Sequence, residues 1–230
     1  MHLDIVIPTL NRTTKLINCL KSLEQSKKDF DIRVFIYFSN HKDSREIEAN
    51  FNRPWITKEF ALYNKCTVFW NAHLLLMKAD AMAYINDDIL FFDNTIEELI
   101  NTYQEKFPDF DGVMGIHQSN LPEDKILPSA FGVIGAKYAN RFPDKQAWCP
   151  DYYRFFGDEE LMKYAESINK FHYAKNVQIK HLHPAYEKGC PTDSTHRAVR
   201  KFRSKDVGIH HKRHVQKLLW GDNFKLIGDL

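Results

Sequence analysis

The sequence predicts an α/β protein with a mixed, mostly parallel central sheet flanked by helices, and three stretches carry that expectation. Leu3-Asp4-Ile5-Val6-Ile7-Pro8 is a β-branched run closed by proline, suited to a strand buried on both faces. Ile32-Arg33-Val34-Phe35-Ile36-Tyr37-Phe38 reads as a second strand, and between the two Leu16, Ile17, Leu20 and Leu23 recur at helical spacing. Strand, helix and strand in that order imply a right-handed crossover and parallel strands. The third stretch, Ala83-Tyr84-Ile85-Asn86-Asp87-Asp88-Ile89-Leu90-Phe91-Phe92, is an apolar run that delivers two adjacent carboxylates and turns apolar again.

Taken in order, the first helix starts at Thr13 or Thr14, either of which can cap it, and runs to about residue 25. The second strand ends at Ser39-Asn40. A polar segment over 43–52 suits a short exposed helix, broken by Pro54-Trp55. Val68, Leu74, Leu75 and Met77 place a helix over 67–78, with Asn71 as its polar exception. After the acid-bearing strand come a helix over 95–107 and strands over 111–116 and 129–135. The polar stretch 118–128, with two prolines, reads as a loop over a cleft. Gly157 precedes Asp158, Glu159 and Glu160 at the start of another helix, where acids complement the macrodipole and Asp158 suits an N-cap. Residues 176–184 alternate as a strand ending in His181-Leu182-His183-Pro184, which places both imidazoles on one face.

The chain has 230 residues, enough for a sizeable core in one domain or two closely joined halves. An apolar content of 43% with 13% aromatics excludes a disordered chain. Cys19, Cys66, Cys149 and Cys190 are scattered without a C-x-x-C pair, which points away from a zinc knuckle or disulfide scaffold and toward a reducing cytoplasm. No apolar run approaches the ~20 residues of a membrane span, and the first strand opens almost at Met1, so a soluble, cytoplasmic protein is expected.

Asp is a poor strand former and costly to bury unpaired, so Asp87 and Asp88 at the end of an apolar strand suggest a cation held at the sheet's edge. A hard divalent ion takes carboxylate oxygens and shares its other positions with phosphates. The same Asn86-Asp87-Asp88 is equally compatible with a turn capping the next helix. Ligands of open α/β sheets collect beyond the carboxyl ends of strands, so Pro8-Thr9, Ser39-Asn40 and Asn86-Asp87-Asp88 are expected to line one crevice.

Ile5-Val6-Ile7-Pro8-Thr9-Leu10-Asn11-Arg12, then Asn71 in a helix, then Asn86-Asp87-Asp88, resembles in its order the nucleotide-sugar half of GT-A glycosyltransferases of the family 2 type. The resemblance implies a single GT-A domain: 1–95 binding the nucleotide-sugar, 96–190 holding the acceptor and catalytic group, and 191–230 a basic C-terminal segment. It implies that Pro8, Thr9, Asn11, Arg12, Asn40, Asn71, Asn86 and Asp87 grip a nucleoside diphosphate-sugar. Asp88, last in the DxD-like motif, is implied to bind Mn²⁺ or Mg²⁺ bridging the diphosphate, with His183 or else His181 completing the metal site. A neutral imidazole beside a carboxylate favours Mn²⁺. Three departures stand out: Asn40 replaces the usual acid that reads the base, Asn86 replaces the motif's first Asp, and Gly157 replaces the Glu before Asp158. In inverting members the Asp158 position carries the catalytic acid, which implies a carboxylate accepting the proton of an attacking hydroxyl.

The implied activity is metal-dependent hexosyl or pentosyl transfer from a nucleotide-sugar, UDP-linked in the first instance, to a glycan, a small molecule or modified DNA. The segment 188–193 is a candidate loop over the diphosphate. From His196 to Lys217, eight Arg and Lys stand against Asp206 alone, a local charge of +7 that leaves −5 for the rest of the chain. A solvated helix steadying a phosphate-rich donor accounts for that. So does a surface for DNA, as part of an enzyme modifying a hydroxylated base or of a non-catalytic binding module. A sugar-phosphate nucleotidyltransferase would share the fold, but that class carries a glycine-rich loop after its first strand, which Pro8-Thr9-Leu10-Asn11-Arg12 lacks.

Overall fold

The computed structural model describes residues 1–60, 66–185, 187, 189–222 and 224–229. β1 (Leu3–Thr9), α1 (Thr13–Lys27) and β2 (Ile32–Phe38) form the expected strand–helix–strand unit, its strands paired in parallel from Leu3↔Ile32 to Thr9↔Phe38. All seven residues of β1 are buried, as its unbroken apolar pattern requires of a central strand. α2 (His41–Asn50) leads into β3 (Ile56–Phe60), a parallel edge strand that the sequence reading passes over. Thr57, Glu59 and Phe60 in it are exposed, so it lacks the apolar period that marks a strand and is held by backbone pairing to β2.

α3 (Cys66–Leu76) returns to β4 (Ala81–Tyr84), which pairs with the other flank of β1. There follow β5 (Ile89–Phe91), α4 (Thr95–Lys106), β6 (Val113–Gln118), β7 (Gly132–Gly135), the short α5 (Ala136–Ala139), α6 (Gly157–Ser167), β8 (Phe171–His181) and α7 (Ser194–Val215). The eight strands join one sheet in the order β3-β2-β1-β4-β7-β6-β8-β5. Only β7 and β5 run against the other six, so the sheet is mixed and mostly parallel.

Two features position the site. The chain winds outward from β1 to β3 and then restarts at β4 on the opposite side of β1, so the carboxyl ends of β1 and β4 meet at a topological switch point. The acid-bearing run is also not one strand. β4 stops at Tyr84, residues 85–88 turn, and β5 pairs antiparallel with the end of β8 in the register Ile89↔His181. That short turn reaches from the middle of the sheet to its far edge because the sheet curls. The β6–β8 register jumps from Ile116↔Ala174 to His117↔Gln178, and such an irregularity bends a strand.

β8 begins earlier and ends earlier than its alternation suggests. The strand stops at His181, and His183 lies in the turn beyond it, its N–H bonded to the His181 carbonyl at 2.9 Å. The expectation that strand alternation puts both imidazoles on one face is thereby corrected: the pairing with β5 ends at Ile89↔His181, three residues before Pro184, and the His183 N–H turns back to its own chain. Among the described residues no helix is long and apolar enough to cross a membrane.

The core has two sides. Leu3, Ile5 and Ile7 of β1 face α1 and α4, whereas Val6, Met82 and Tyr84 face α3 and α6. Glu160 does more than complement a helix dipole. Its carboxylate accepts Arg213 Nη2 at 2.6 Å and the Trp220 N–H at 2.7 Å, which ties α6 to α7 and the C-terminal segment. Arg213 is 1% exposed and also bonds Asp151 at 2.9 Å. Glu160→Ala leaves that guanidinium buried and short of its main partner. It is expected to cost about 3–5 kcal/mol, read from the urea midpoint, while the exposed Glu166→Ala shifts it little.

Candidate active site

Thr9 ends β1 and Asn11, exposed and left-handed at φ 55°, turns the chain so that Arg12 enters the switch point. The Arg12 side chain is 4% exposed, and its Nη1 reaches Asp87 Oδ1 at 2.9 Å and Asp88 Oδ2 at 3.0 Å. Thr9 Oγ1 donates to the other Asp87 oxygen at 2.8 Å. The remaining guanidinium nitrogens meet the start of α7: Nε bonds Asp193 at 3.0 Å and Nη2 lies 2.8 Å from His196 Nε2. Lys15 also reaches Asp193, at 3.0 Å. Burial pushes Asp87 up against the pull of Arg12. It pushes on Asp88 too, but His181, Arg12 and Lys15 outweigh it and hold that carboxyl well below the usual range.

The β5–β8 register delivers His181 to the acid turn. Its Nε2 lies 3.4 Å from Asp88 Oδ1, while Nδ1 lies 3.0 Å from Gln118 Oε1. Asn120 clasps its main chain, donating to the His181 carbonyl at 2.9 Å and accepting its N–H at 3.0 Å. The His183 ring is 5.3 Å from that of His181 and 4.7 Å from that of His196. Burial and these neighbours push its pKa down to about 4, so it is a neutral imidazole at pH 7.

A divalent ion fits this corner as a two-donor site. Asp88 Oδ1 is buried without a hydrogen-bond partner, and His181 Nε2 stands 3.4 Å from it; adjacent ligands of an octahedral ion lie about 3 Å apart. Among the described residues no group of three His, Cys, Asp or Glu donors gathers to enclose a metal.

A cavity opens above the switch point. Pro8, Thr9, Ser39, Phe69 of α3, Arg154 and Phe202 of α7 line it. Arg12 and Asp87 line it as well, so four of the expected nucleotide-binding residues are brought together there. Four are placed elsewhere. Asn40 caps α2 by accepting the Asp43 N–H at 2.9 Å and donates to Asn11 Oδ1 at 3.1 Å, which occupies both asparagines in bracing the β1–α1 loop. Asn71 exchanges two hydrogen bonds with the Trp148 main chain, at 2.7 and 3.0 Å. Asn86 is half-buried in the acid turn.

Asp158 stands in the first turn of α6. Phe156, left-handed at φ 70°, and Gly157 make the approach; a Cβ on Gly157 would lie 3.3 Å from Thr67 and 3.4 Å from Trp148. Burial pushes the half-buried Asp158 carboxyl up to about 6, against the N–H groups of its own helical turn. Burial first, and the Asp158 charge second, hold the Tyr84 phenol far above its ordinary value. The approach loop is fastened by Asp206, whose carboxylate accepts the N–H groups of Tyr153, Arg154 and Phe155 at 2.8–2.9 Å.

The sequence reading places Gln118 and Asn120 only in a loop over the cleft, Asp193 only in the 188–193 loop, and His196 and Asp206 only in the basic run, and it does not reach Lys15. Only Asp193 carried a local signal: an Asp just before a long helical run suits an N-cap, and it caps α7 by accepting the His196 N–H at 2.8 Å. The expectation of a loop over 188–193 closing on a ligand falls partly on Lys188, outside the described residues.

No protein-family model matches the chain and no curated protein matches its sequence. Among solved structures it is similar to the mannosyltransferase PcManGT from Pyrobaculum calidifontis in complex with GDP-Man and Mn²⁺, with a TM-score of 0.67 and 11% identity over 94% of this chain and 64% of that one. It is also similar to S. aureus TarS 1-349 in complex with UDP, with a TM-score of 0.56 and 13% identity over 74% of this chain and 57% of that one. The chain thus spans less than two thirds of either neighbour. The likeness establishes the GT-A fold.

A carboxyl whose folded pKa is raised holds its proton more tightly in the native state, so ionisation costs stability as pH rises from the unfolded value near 4 through 6. Asp158→Asn is therefore expected to raise Tm at pH 7.5, with the gain disappearing below pH 4. A variant less stable than the parent at pH 7.5 contradicts the burial reading.

Proposed function

We propose that the chain transfers a sugar from a nucleoside diphosphate-sugar, UDP-linked in the first instance, to an acceptor hydroxyl with inversion at the anomeric carbon. The observation that carries the reading is the Arg12–Asp87–Asp88–His181 cluster at the switch point of a GT-A sheet, whose Arg12 and Asp87 line the cavity. The neighbours support it: PcManGT is a mannosyltransferase complexed with GDP-Man and Mn²⁺, and TarS 1-349 a complex with UDP.

Pro8, Thr9 and Ser39 offer main chain and a hydroxyl to a nucleoside, Phe69 and Phe202 offer flat apolar surface for the base, and Arg154 offers a cation to the diphosphate. Asp88 and His181 would hold Mn²⁺ or Mg²⁺, with His183 a neutral imidazole close by. Such an ion supplies charge neutralisation to the departing diphosphate. Asp158 accepts the acceptor's hydroxyl proton as the new O–C1 bond forms and the C1–O bond to phosphate breaks. A carboxyl titrating near 6 is ionised at pH 7 and still basic enough to take a proton.

UDP is expected to raise Tm in the presence of Mn²⁺ and to do so far less with EDTA, by RT ln(1 + [L]/Kd). Asp88→Asn should abolish the metal-dependent part. Asp158→Asn should bind UDP as the parent does yet transfer sugar about 10²–10⁴-fold more slowly, and the parent's rate should fall below pH 6 as Asp158 takes a proton. Full turnover by that variant overturns its role as the base.

A further inference from the structure

We propose that the outer face of α7 is a docking surface for the phosphodiester backbone of duplex nucleic acid. Arg197, Arg200, Lys201, Arg203, Lys205 and Lys212 are all exposed on this helix. The single acid of the helix, Asp206, is fully buried and points inward to the 153–155 main chain. None of the six cations forms an ion pair with an acid among the described residues; Arg197 bonds the Thr192 carbonyl, and Lys201 and Lys205 lie over the Phe202 and Tyr153 rings. An ordinary solvated helix mixes the two signs of charge so that i,i+4 pairs form. Here every charge facing water is positive.

The pattern is also ordered in space. At 100° per residue, Arg197, Lys201, Lys205 and Lys212 fall within roughly 80° of one another and Arg200 within about 140°, over a rise of about 22 Å. Ser204 and Gly208 lie between them on the wheel, and nothing comes within 4 Å of where a Gly208 Cβ would be, so the stripe is open. A straight row of cations on a rigid helix suits a straight, densely charged polymer, and duplex nucleic acid carries one charge per about 1.7 Å. With −5 on the rest of the chain, such a polymer is steered to this face and repelled from others.

The alternative of a lipid surface is disfavoured by the apolar side of the helix. Val199 and Phe202 line the cavity and Ile209 packs on the core, whereas the large apolar residues of α7 that face water are Val207 and Val215. A helix lying in a membrane interface needs an exposed apolar face. Lys201 both belongs to the stripe and lines the cavity, so a duplex on α7 passes the cavity mouth. The surface stands independently of sugar transfer.

The test is fluorescence anisotropy of a labelled DNA duplex of about two helical turns with the full chain. Five cations on the stripe predict a log–log salt slope near −4.5, an affinity loss of about 500-fold between 50 and 200 mM salt. The triple substitution Arg200→Ala, Lys205→Ala, Lys212→Ala should flatten the slope by about 2.7 and leave Tm and the UDP response unchanged. These three residues lie outside the cavity. A slope shallower than −2, an unaltered slope in the triple variant, or tighter binding to phosphatidylglycerol vesicles or polyglutamate than to the duplex overturns the proposal. Loss of the UDP response with duplex binding intact would count against the transferase reading alone.

Discussion

The buried Arg12 guanidinium is the contact on which the site depends. Among the described residues it is the one cation paired with both Asp87 and Asp88, and it joins them to Asp193 at the start of α7. A buried carboxylate must find a partner or take up a proton. One guanidinium serving two carboxylates leaves the acid turn negative, and Lys15 and Asp193 cancel each other without changing that sum. Arg12 therefore makes the paired acids tolerable in the fold without extinguishing their pull on a further cation. The polarity of Asp88 follows: Oδ2 faces Arg12, while Oδ1 faces His181 and has no hydrogen bond.

This arrangement requires the curl of the sheet. Were β4 and β5 one continuous strand, Asp87 and Asp88 would project to opposite faces by simple alternation. Breaking the strand at 85–88 and sending β5 to the end of β8 lets both carboxylates meet one guanidinium and brings in an imidazole 93 positions later in the chain. Gln118 and Asn120, expected to belong to a loop over the cleft, fix that imidazole and its backbone through the β6–β8 contact.

Legibility followed the range of the forces involved. The β1–α1–β2 unit, the helices at Thr95–Lys106 and Gly157–Ser167, and the crevice at Thr9 and Asp87 rest on apolar periodicity and strand-end chemistry, both of which are local. β3 escaped notice because pairing with β2, not side-chain pattern, makes it a strand. Asn40 and Asn71 illustrate the opposite difficulty: a polar residue at a suggestive position can be consumed by main-chain groups, here the Asp43 N–H and the Trp148 backbone. Asp206 was legible only as a charge, because its three N–H partners lie about fifty residues earlier in the chain.

α7 is in this light two surfaces on one helix. Asp193, Asp206 and Arg213 bind it inward to Arg12, to the 153–155 main chain and to Glu160, so its inner face is anchored at its start, its middle and near its end. The two non-glycine residues that introduce helices at the cleft, Asn11 and Phe156, are both left-handed, a conformation costing of order 1 kcal/mol or more that persists where surrounding contacts impose it. Those contacts are in large part the inner face of α7: Asp193 holds Arg12 next to Asn11, and Asp206 holds the Phe155 N–H next to Phe156. Anything that displaced the helix would release both turns at once. The groups that hold Arg12 and the 153–155 main chain are thus carried by the same element that presents exposed cations to water.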